Sequence, residues 1–152
     1  MSKAVIHKSF TIERTYPNSA ARVFRAHADP EEKRRWFAEG KGFLVESYVL
    51  DFKVGGFERC RFRHGDGPLM TFDGVFLDIV SDERIVLAYA MTRAGIAMSS
   101  SLSTIELAAA KAGTLLRFTE HIAFLDGNDA SAGRREGSVA LLEALAKHLE
   151  LD

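Results

Sequence analysis

From Phe43 to Phe124 apolar and polar residues alternate with a period of two, and the alternation breaks at Gly55-Gly56, Gly65-Asp66-Gly67-Pro68, Ser81-Asp82, Arg93-Ala94-Gly95 and Lys111-Ala112-Gly113. A period of two puts successive side chains on opposite faces of a strand, and Gly, Pro, Asn, Asp and Ser are the residues that turns demand. The pattern predicts about six strands joined by short turns, an antiparallel meander. Ahead of it, Ser9 to Tyr16 alternates in the same way until Pro17 withdraws a ladder donor, which gives a first strand. Asn18 or Ser19 then caps a helix carrying Ala20, Val23, Phe24 and His27 at helical spacing, and Asp29-Pro30 opens a second short helix through Phe37. From Ala132 to Leu149, the residues Val139, Leu142, Leu145, Ala146 and Leu149 recur at three- and four-residue intervals, the mark of one long amphipathic helix.

The order strand, two helices, about six strands, helix contains no internal repeat, low-complexity tract or linker. Residues 1–152 are therefore expected to form one α+β domain. A sheet of about six or seven strands has one face to cover, and a single C-terminal helix of about 27 Å, at 1.5 Å rise per residue, covers it only if the sheet curls around the helix. Such a wrap predicts a hollow between sheet and helix.

Composition agrees with one real core: a chain of 152 residues with 47% hydrophobic and 27% charged positions has the balance of a globular protein. The 11 Phe are unusual, because so many rings must pack together or line a space. The formal net charge of -1 gives no general attraction to nucleic acid or to an anionic membrane. Basic residues cluster in Lys33-Arg34-Arg35 and in Arg59, Arg61 and Arg63, and both groups read as solvated faces. Cys60 is the only cysteine, so no intrachain disulfide forms and a reducing compartment fits. The start of the chain lacks the apolar core of a signal peptide, and no run approaches the roughly 18 apolar residues of a membrane span. A cytoplasmic protein is expected.

Several elements together resemble a known superfamily. They are Val23-Phe24 followed by Asp29-Pro30 and Arg35-Trp36-Phe37, then the run from Asp51 to Gly56, then the run from Phe72 to Val80 leading into Glu83-Arg84-Ile85-Val86. Later come Ser99 to Leu107, Gly113 to Glu120, and Arg135-Glu136-Gly137 before the last helix. In order and spacing these resemble the START-like, Bet v 1-like superfamily (SRPBCC), in the branch homologous to activators of the heat-shock chaperone ATPase. The resemblance spans nearly the whole chain. It implies a helix-grip fold with a deep cavity that in different relatives holds lipids, polyketides, hormones or nothing identified. It also marks a departure: many relatives place a Trp directly after the glycine that opens the last helix, where this chain has Ser138. That end of the cavity is expected to be wider or differently packed.

Strand parity maps the interior. Ile85, Leu87, Tyr89 and Met91 share one face and are assigned inward, as are Leu116, Phe118, Glu120 and Ile122. Three alternating cations, Arg59, Arg61 and Arg63, belong outside, which turns Glu58, Cys60 and Phe62 in. Glu58 and Glu120 are thus two interior carboxylates, whose pKa values desolvation would raise and mutual repulsion would raise further if they were close. One could then act as a general acid or base, and Glu120 and Glu58 are the best catalytic candidates. Tyr89 and the face of Ser99, Ser101 and Ser103 supply polar partners. Trp36, Phe37, Phe43 and Phe76, with Leu141, Leu142 and Leu145 on the last helix, serve equally as core and as ligand contacts. The five histidines show no paired spacing and no carboxylate-rich motif, so no metal is expected; neither a nucleophile elbow nor a phosphate or dinucleotide loop appears, so no cofactor is expected either.

Three functions compete. The first is binding of a small hydrophobic or aromatic, lipid- or polyketide-like molecule, with Glu58, Glu120, Tyr89 and the serines fixing one polar end. The second is a cyclase, dehydratase or hydrolase in which one protonated Glu donates to a carbonyl or leaving oxygen. The third is a chaperone-interacting co-regulator, ranked last because the separate N-terminal domain of the eukaryotic activators is lacking. Val86, Ala88, Ala90 and Leu102 make the outward sheet face apolar enough for a homodimer.

Overall fold

In the computed structural model, which describes residues 3–40 and 42–152, the first strand β1 spans Ile6–Tyr16 and stops at Pro17. Ser19 caps α1 (Ala20–Ala28): its Oγ accepts a hydrogen bond of 3.2 Å from the Arg22 amide. Asp29 does the same for α2 (Pro30–Lys33), accepting from the Glu31 and Glu32 amides at 2.9 and 3.1 Å with Pro30 in the first turn. The second helix does not run on as an α-helix. Over Arg34–Ala38 it widens into a π turn, closed by the Glu39 amide on the Arg34 carbonyl at 2.9 Å.

Six strands follow, as the alternation predicts: β2 (Phe43–Leu50), β3 (Phe57–His64), β4 (Met70–Val80), β5 (Arg84–Arg93), β6 (Ile96–Ala110) and β7 (Gly113–Phe124). The turns between them fall on the Gly-, Pro- and Asp-containing breaks. At the first, Gly55 has φ +83 and a Cβ on Gly56 would lie 2.1 Å from the Asp51 carbonyl oxygen, so this bend tolerates no side chain. The strands make one curved antiparallel sheet in the order β1-β7-β6-β5-β4-β3-β2, and α3 (Ser131–Leu149) lies in its grip. This is the helix-grip α+β architecture. Gly137 does not open the last helix as the family pattern suggests; it lies inside α3, because the helix begins at Ser131.

The grip is one-sided. Helix α3 covers the half of the sheet formed by β1, β7 and β6, where Leu142, Leu145 and Leu149 join Ile12, Tyr16, Val23, Leu107 and Leu116 in one core. Tyr16 fixes the helix by donating its hydroxyl to the Leu142 carbonyl at 3.0 Å. The other half has a second core of Leu50, Cys60, Phe72, Phe76, Ile85, Leu87 and Tyr89, roofed by Ala38 and Phe37 from the π turn and by Phe24 and Phe52. Here the many rings pack on each other. Phe72 stacks on Tyr89 at 4.5 Å between centroids, Phe37 meets Phe72 edge-on at 5.4 Å, and Phe52 joins Phe24 and Phe76 at 5.6 and 5.0 Å.

Bulges interrupt the register at Glu46 in β2, Leu77 in β4 and Met98 in β6. All three lie outside the stretches used for the parity assignment, which is why that assignment survives. Among the described residues no helix is long and apolar enough to cross a membrane.

Candidate functional site

Glu58 and Glu120 both point inward, and each is 1% exposed. They do not form a pair. Glu58 stands on β3 and Glu120 on β7, four strand steps apart, which is roughly 19 Å measured along the sheet. Each has its own tyrosine and its own cation.

On β3, Glu58 Oε2 accepts the Tyr48 hydroxyl at 2.5 Å and pairs with Lys33 Nζ at 3.2 Å. Lys33 is 8% exposed, which corrects the reading of Lys33-Arg34-Arg35 as a solvated run. The stem of α2 carries its amine over the Phe37 ring at 4.5 Å and near the Trp36 ring at 5.2 Å, where aromatic faces and the carboxylate replace water. Burial, and then the Glu58 carboxylate, hold the Tyr48 hydroxyl far above its usual range, so it remains a donor. Burial likewise pushes the Cys60 thiol up to about 11, which makes it an inert core residue.

On β7, Glu120 Oε1 accepts the hydroxyl of Tyr89 from β5. The Tyr89 oxygen in turn accepts from Arg134 Nη1 at 3.1 Å, and Arg134 Nη2 donates to Ser99 Oγ at 2.9 Å. Arg134 stands in the first turns of α3 and lies over the Phe124 ring at 5.6 Å, but only 3.8 Å separates its Nη1 from Glu120 Oε1. Burial therefore outweighs the guanidinium and raises the Glu120 carboxyl to about 7. A group titrating there can hold or release a proton at neutral pH. Ser101 pairs in register with Tyr89, and among the described residues its buried Oγ has no hydrogen-bond partner.

The remaining predicted residues fall around these two clusters. Trp36 is buried and donates its indole N–H to the Ala26 carbonyl at 2.9 Å, a structural bond. Phe76 and Leu87 are buried in the second core, with Phe62 and Met91 half-buried at its margin. Phe43 is 38% exposed and packs on Phe62 and His64 at the end of the sheet. Phe118, Leu141 and Leu145 belong to the core beneath α3. Ser138 is buried and its hydroxyl bonds back to the Arg134 carbonyl at 3.0 Å. His27, expected on an apolar helical face, is buried: its Nδ1 lies 2.9 Å from the Val23 carbonyl oxygen, and burial with Lys33 nearby drives its pKa down to about 3.

Lys33, Tyr48, Ser99 and Arg134 complete the two clusters. Parity places Ser99 among the polar partners, whereas Lys33 reads as part of a solvated run and neither Tyr48 nor Arg134 is singled out by the alternation. An open groove of about 370 Å³ lies elsewhere, on the outer side of the sheet beside His7, Ser9, Ser100 and His121. Val86 and Ala88 are half-buried on that outer side, while Ala90, Leu102, Val75 and Leu77 are exposed.

The sequence pattern of the Activator of Hsp90 ATPase homolog 1-like proteins matches residues 17–150. The chain belongs to this family. Among solved structures, one from Rhizobium loti is 50% identical, with a TM-score of 0.89, covering 95% of this chain and 99% of that one. An uncharacterized protein from Rhizobium leguminosarum is 38% identical at TM-score 0.94, covering 98% of both chains. A third, from Chromobacterium violaceum, is 26% identical at TM-score 0.80, covering 95% of this chain and 98% of that one. No curated protein matches. Membership of the Activator of Hsp90 ATPase homolog 1-like family fixes the fold and leaves function to be argued from the site.

Proposed function

We propose that the chain binds a small, largely apolar molecule between the sheet and the helices, with a polar end held at Tyr89, Glu120, Arg134 and Ser101. The observation that carries this reading is the Ser99–Arg134–Tyr89–Glu120 chain of hydrogen bonds inside an apolar interior, with the Ser101 hydroxyl beside it unpartnered among the described residues. Packing alone does not call for such a network, since replacing a buried polar set by apolar residues of the same shape is often neutral for stability. Native mass spectrometry of the purified protein tests this directly: a co-purifying small molecule, lost from an Arg134→Met variant, is expected. A bare mass, together with no thermal shift from any member of an aromatic carboxylate panel, would sink the idea.

A second reading makes Glu120 a general acid for a cyclase, dehydratase or hydrolase reaction. It draws on the carboxyl titrating near 7 beside a guanidinium. Here Glu120→Gln should abolish turnover and leave binding intact. A third, contact with a chaperone, draws on the family description and on the exposed Val75, Leu77 and Leu102 of the outer face. Calorimetric titration against a purified chaperone ATPase, with no heat at micromolar concentration, would remove it.

A further inference from the structure

The groove of about 370 Å³ on the outer side of the sheet belongs to neither buried cluster, and its size is that of a small-molecule pocket. Its outward residues come from three neighbouring strands and fall in two cross-strand rows. His7, Ala123 and Ser100 make the first row, and Ser9, His121 and Leu102 make the next. Parity turns the remaining lining residues, Lys8 and Ile122, to the inner side, and Lys8 Nζ is held by Asp129 Oδ2 at 3.3 Å. Side-chain size explains the depression: Ala123, Ser9 and Ser100 are small, and they lie between the two imidazoles and Leu102. His7 and His121 are diagonal neighbours across β1 and β7, a relation that sets Cβ atoms about 7–8 Å apart or somewhat less. One small group can reach both rings.

The polar groups around the groove are unspent. One row further on, Thr11 and Thr119 satisfy each other at 3.2 Å, whereas the side chains of His7, Ser9, Ser100 and His121 make no hydrogen bond or ion pair among the described residues. No carboxylate stands in either row. The nearest ones on the outer side of these strands, Glu13 and Glu106, lie two rows beyond His121 and are held by Arg117 at 3.1 and 3.7 Å. Asp129, at the end of the sheet, is held by Lys8 and Ser131. A metal cation needs more ligands than two imidazoles, and among the described residues no group of three or more His, Cys, Asp or Glu is placed to supply them. What the groove offers is a set of donors, two imidazole N–H groups and two hydroxyls, with no carboxylate to repel an anion.

We propose that this groove is a binding site for a phosphate-type head group carried on a small apolar body. A phosphoryl group presents three acceptor oxygens, enough to meet an imidazole on either side and a serine hydroxyl between them, while a planar carboxylate has two. The apolar body has a resting place as well. On the β6 side the two rows continue through Leu102 and Ser100 to Ala88 and Ala90 of β5, and Leu102 and Ala90 are exposed. The site shares no side chain with the Glu120 cluster and stands on the opposite side of the sheet, so it holds whether or not the interior binds a ligand.

Titration of the full chain with phenyl phosphate, followed by the NMR shifts of the imidazole rings and backbone amides, tests the inference. Saturable shifts centred on His7, Ser100 and His121 are expected, with a Kd of about 1 mM or tighter. Benzoate, which has the same ring and a carboxylate head, should bind about fivefold more weakly or worse. Replacing both rings, His7→Gln with His121→Gln, should weaken phenyl phosphate about tenfold or more. Both positions are exposed, so the doubly substituted chain should keep its fold, which the dispersion of its amide spectrum checks. The proposal is overturned by the absence of a saturable shift up to about 20 mM phenyl phosphate, by benzoate binding as tightly, or by an unchanged affinity in the doubly substituted chain.

Discussion

The two carboxylates on the inner face of this sheet are buried to the same extent, yet they are built for different behaviour. Glu58 has an ammonium at 3.2 Å and a tyrosine hydroxyl at 2.5 Å on the same oxygen, the first from α2 and the second from the neighbouring edge strand β2. Glu120 has a tyrosine as well, but its cation stands off at 3.8 Å and spends its hydrogen bonds on Tyr89 and Ser99. The first carboxylate is one half of an ion pair that ties the end of α2 to β3. The second is left with most of its desolvation uncompensated and is raised to about 7. What separates a strut from a proton-exchanging group here is the distance and occupation of the cation.

The comparison can be broken most forcefully by removing the cations. Lys33→Met strands a buried carboxylate and should cost about 3–5 kcal/mol of unfolding free energy in urea. Arg134→Met should cost much less below pH 7, because Glu120 can take up a proton, and its cost should grow as pH rises above that value. Equal losses for the two variants at pH 6 would show that the carboxylates are not different in kind.

The pH dependence of stability sharpens the same contrast, since the two regions respond in opposite directions. The folded pKa of His27, beside Lys33, is depressed to about 3 from 6.5, so its contribution is complete above 6.5 and is lost as pH falls toward 3. That loss amounts to about 3 kcal/mol by pH 4, and His27→Phe should remove it. The folded pKa of Glu120 is raised from 4.5 to about 7, so its contribution is complete below 4.5 and is lost as pH rises through 7. That loss is also about 3 kcal/mol, and Glu120→Gln should flatten it. Urea titrations between pH 4 and 8 in which either variant keeps the wild-type slope would refute the corresponding assignment.

Much of this was legible in the residues. Turn chemistry located every strand break, and parity turned Glu58, Tyr89, Ser101 and Glu120 inward because the three bulges fall elsewhere. Lys33 was hidden in a charged run, although its spacing of three and four residues from Trp36 and Phe37 puts it on the aromatic side of a helix. Arg134 was overlooked because α3 was read from its apolar residues alone. Yet positions 134, 138, 142, 145 and 149 follow one stripe of that helix, and the four after Arg134 are all buried. Tyr48 lies on a strand whose bulge at Glu46 obscures its alternation. Which cation meets which carboxylate could not be read at all, since that depends on how α3 and α2 seat on a curved sheet. The π turn was equally silent: nothing in the residue pattern of 34–38 announces it.

The smallest expected effect discriminates most finely. Ser99 and Ser101 lie on the same face of β6, two residues apart, and differ in one respect: Ser99 Oγ accepts from Arg134 at 2.9 Å, while Ser101 Oγ has no partner among the described residues. Ser99→Ala should therefore cost about 1 kcal/mol, the usual worth of a hydrogen bond to a charged group after loss of some burial. Ser101→Ala removes a buried hydroxyl that contributes no bond, so stability should hold or rise by up to about 1 kcal/mol, while affinity for an aromatic carboxylate falls. A stability gain coupled to a binding loss is the behaviour of a group retained for a ligand. If Ser101→Ala instead destabilises the protein as much as Ser99→Ala does, its hydroxyl serves the fold, and the polar end of the site contracts to Tyr89, Glu120 and Arg134.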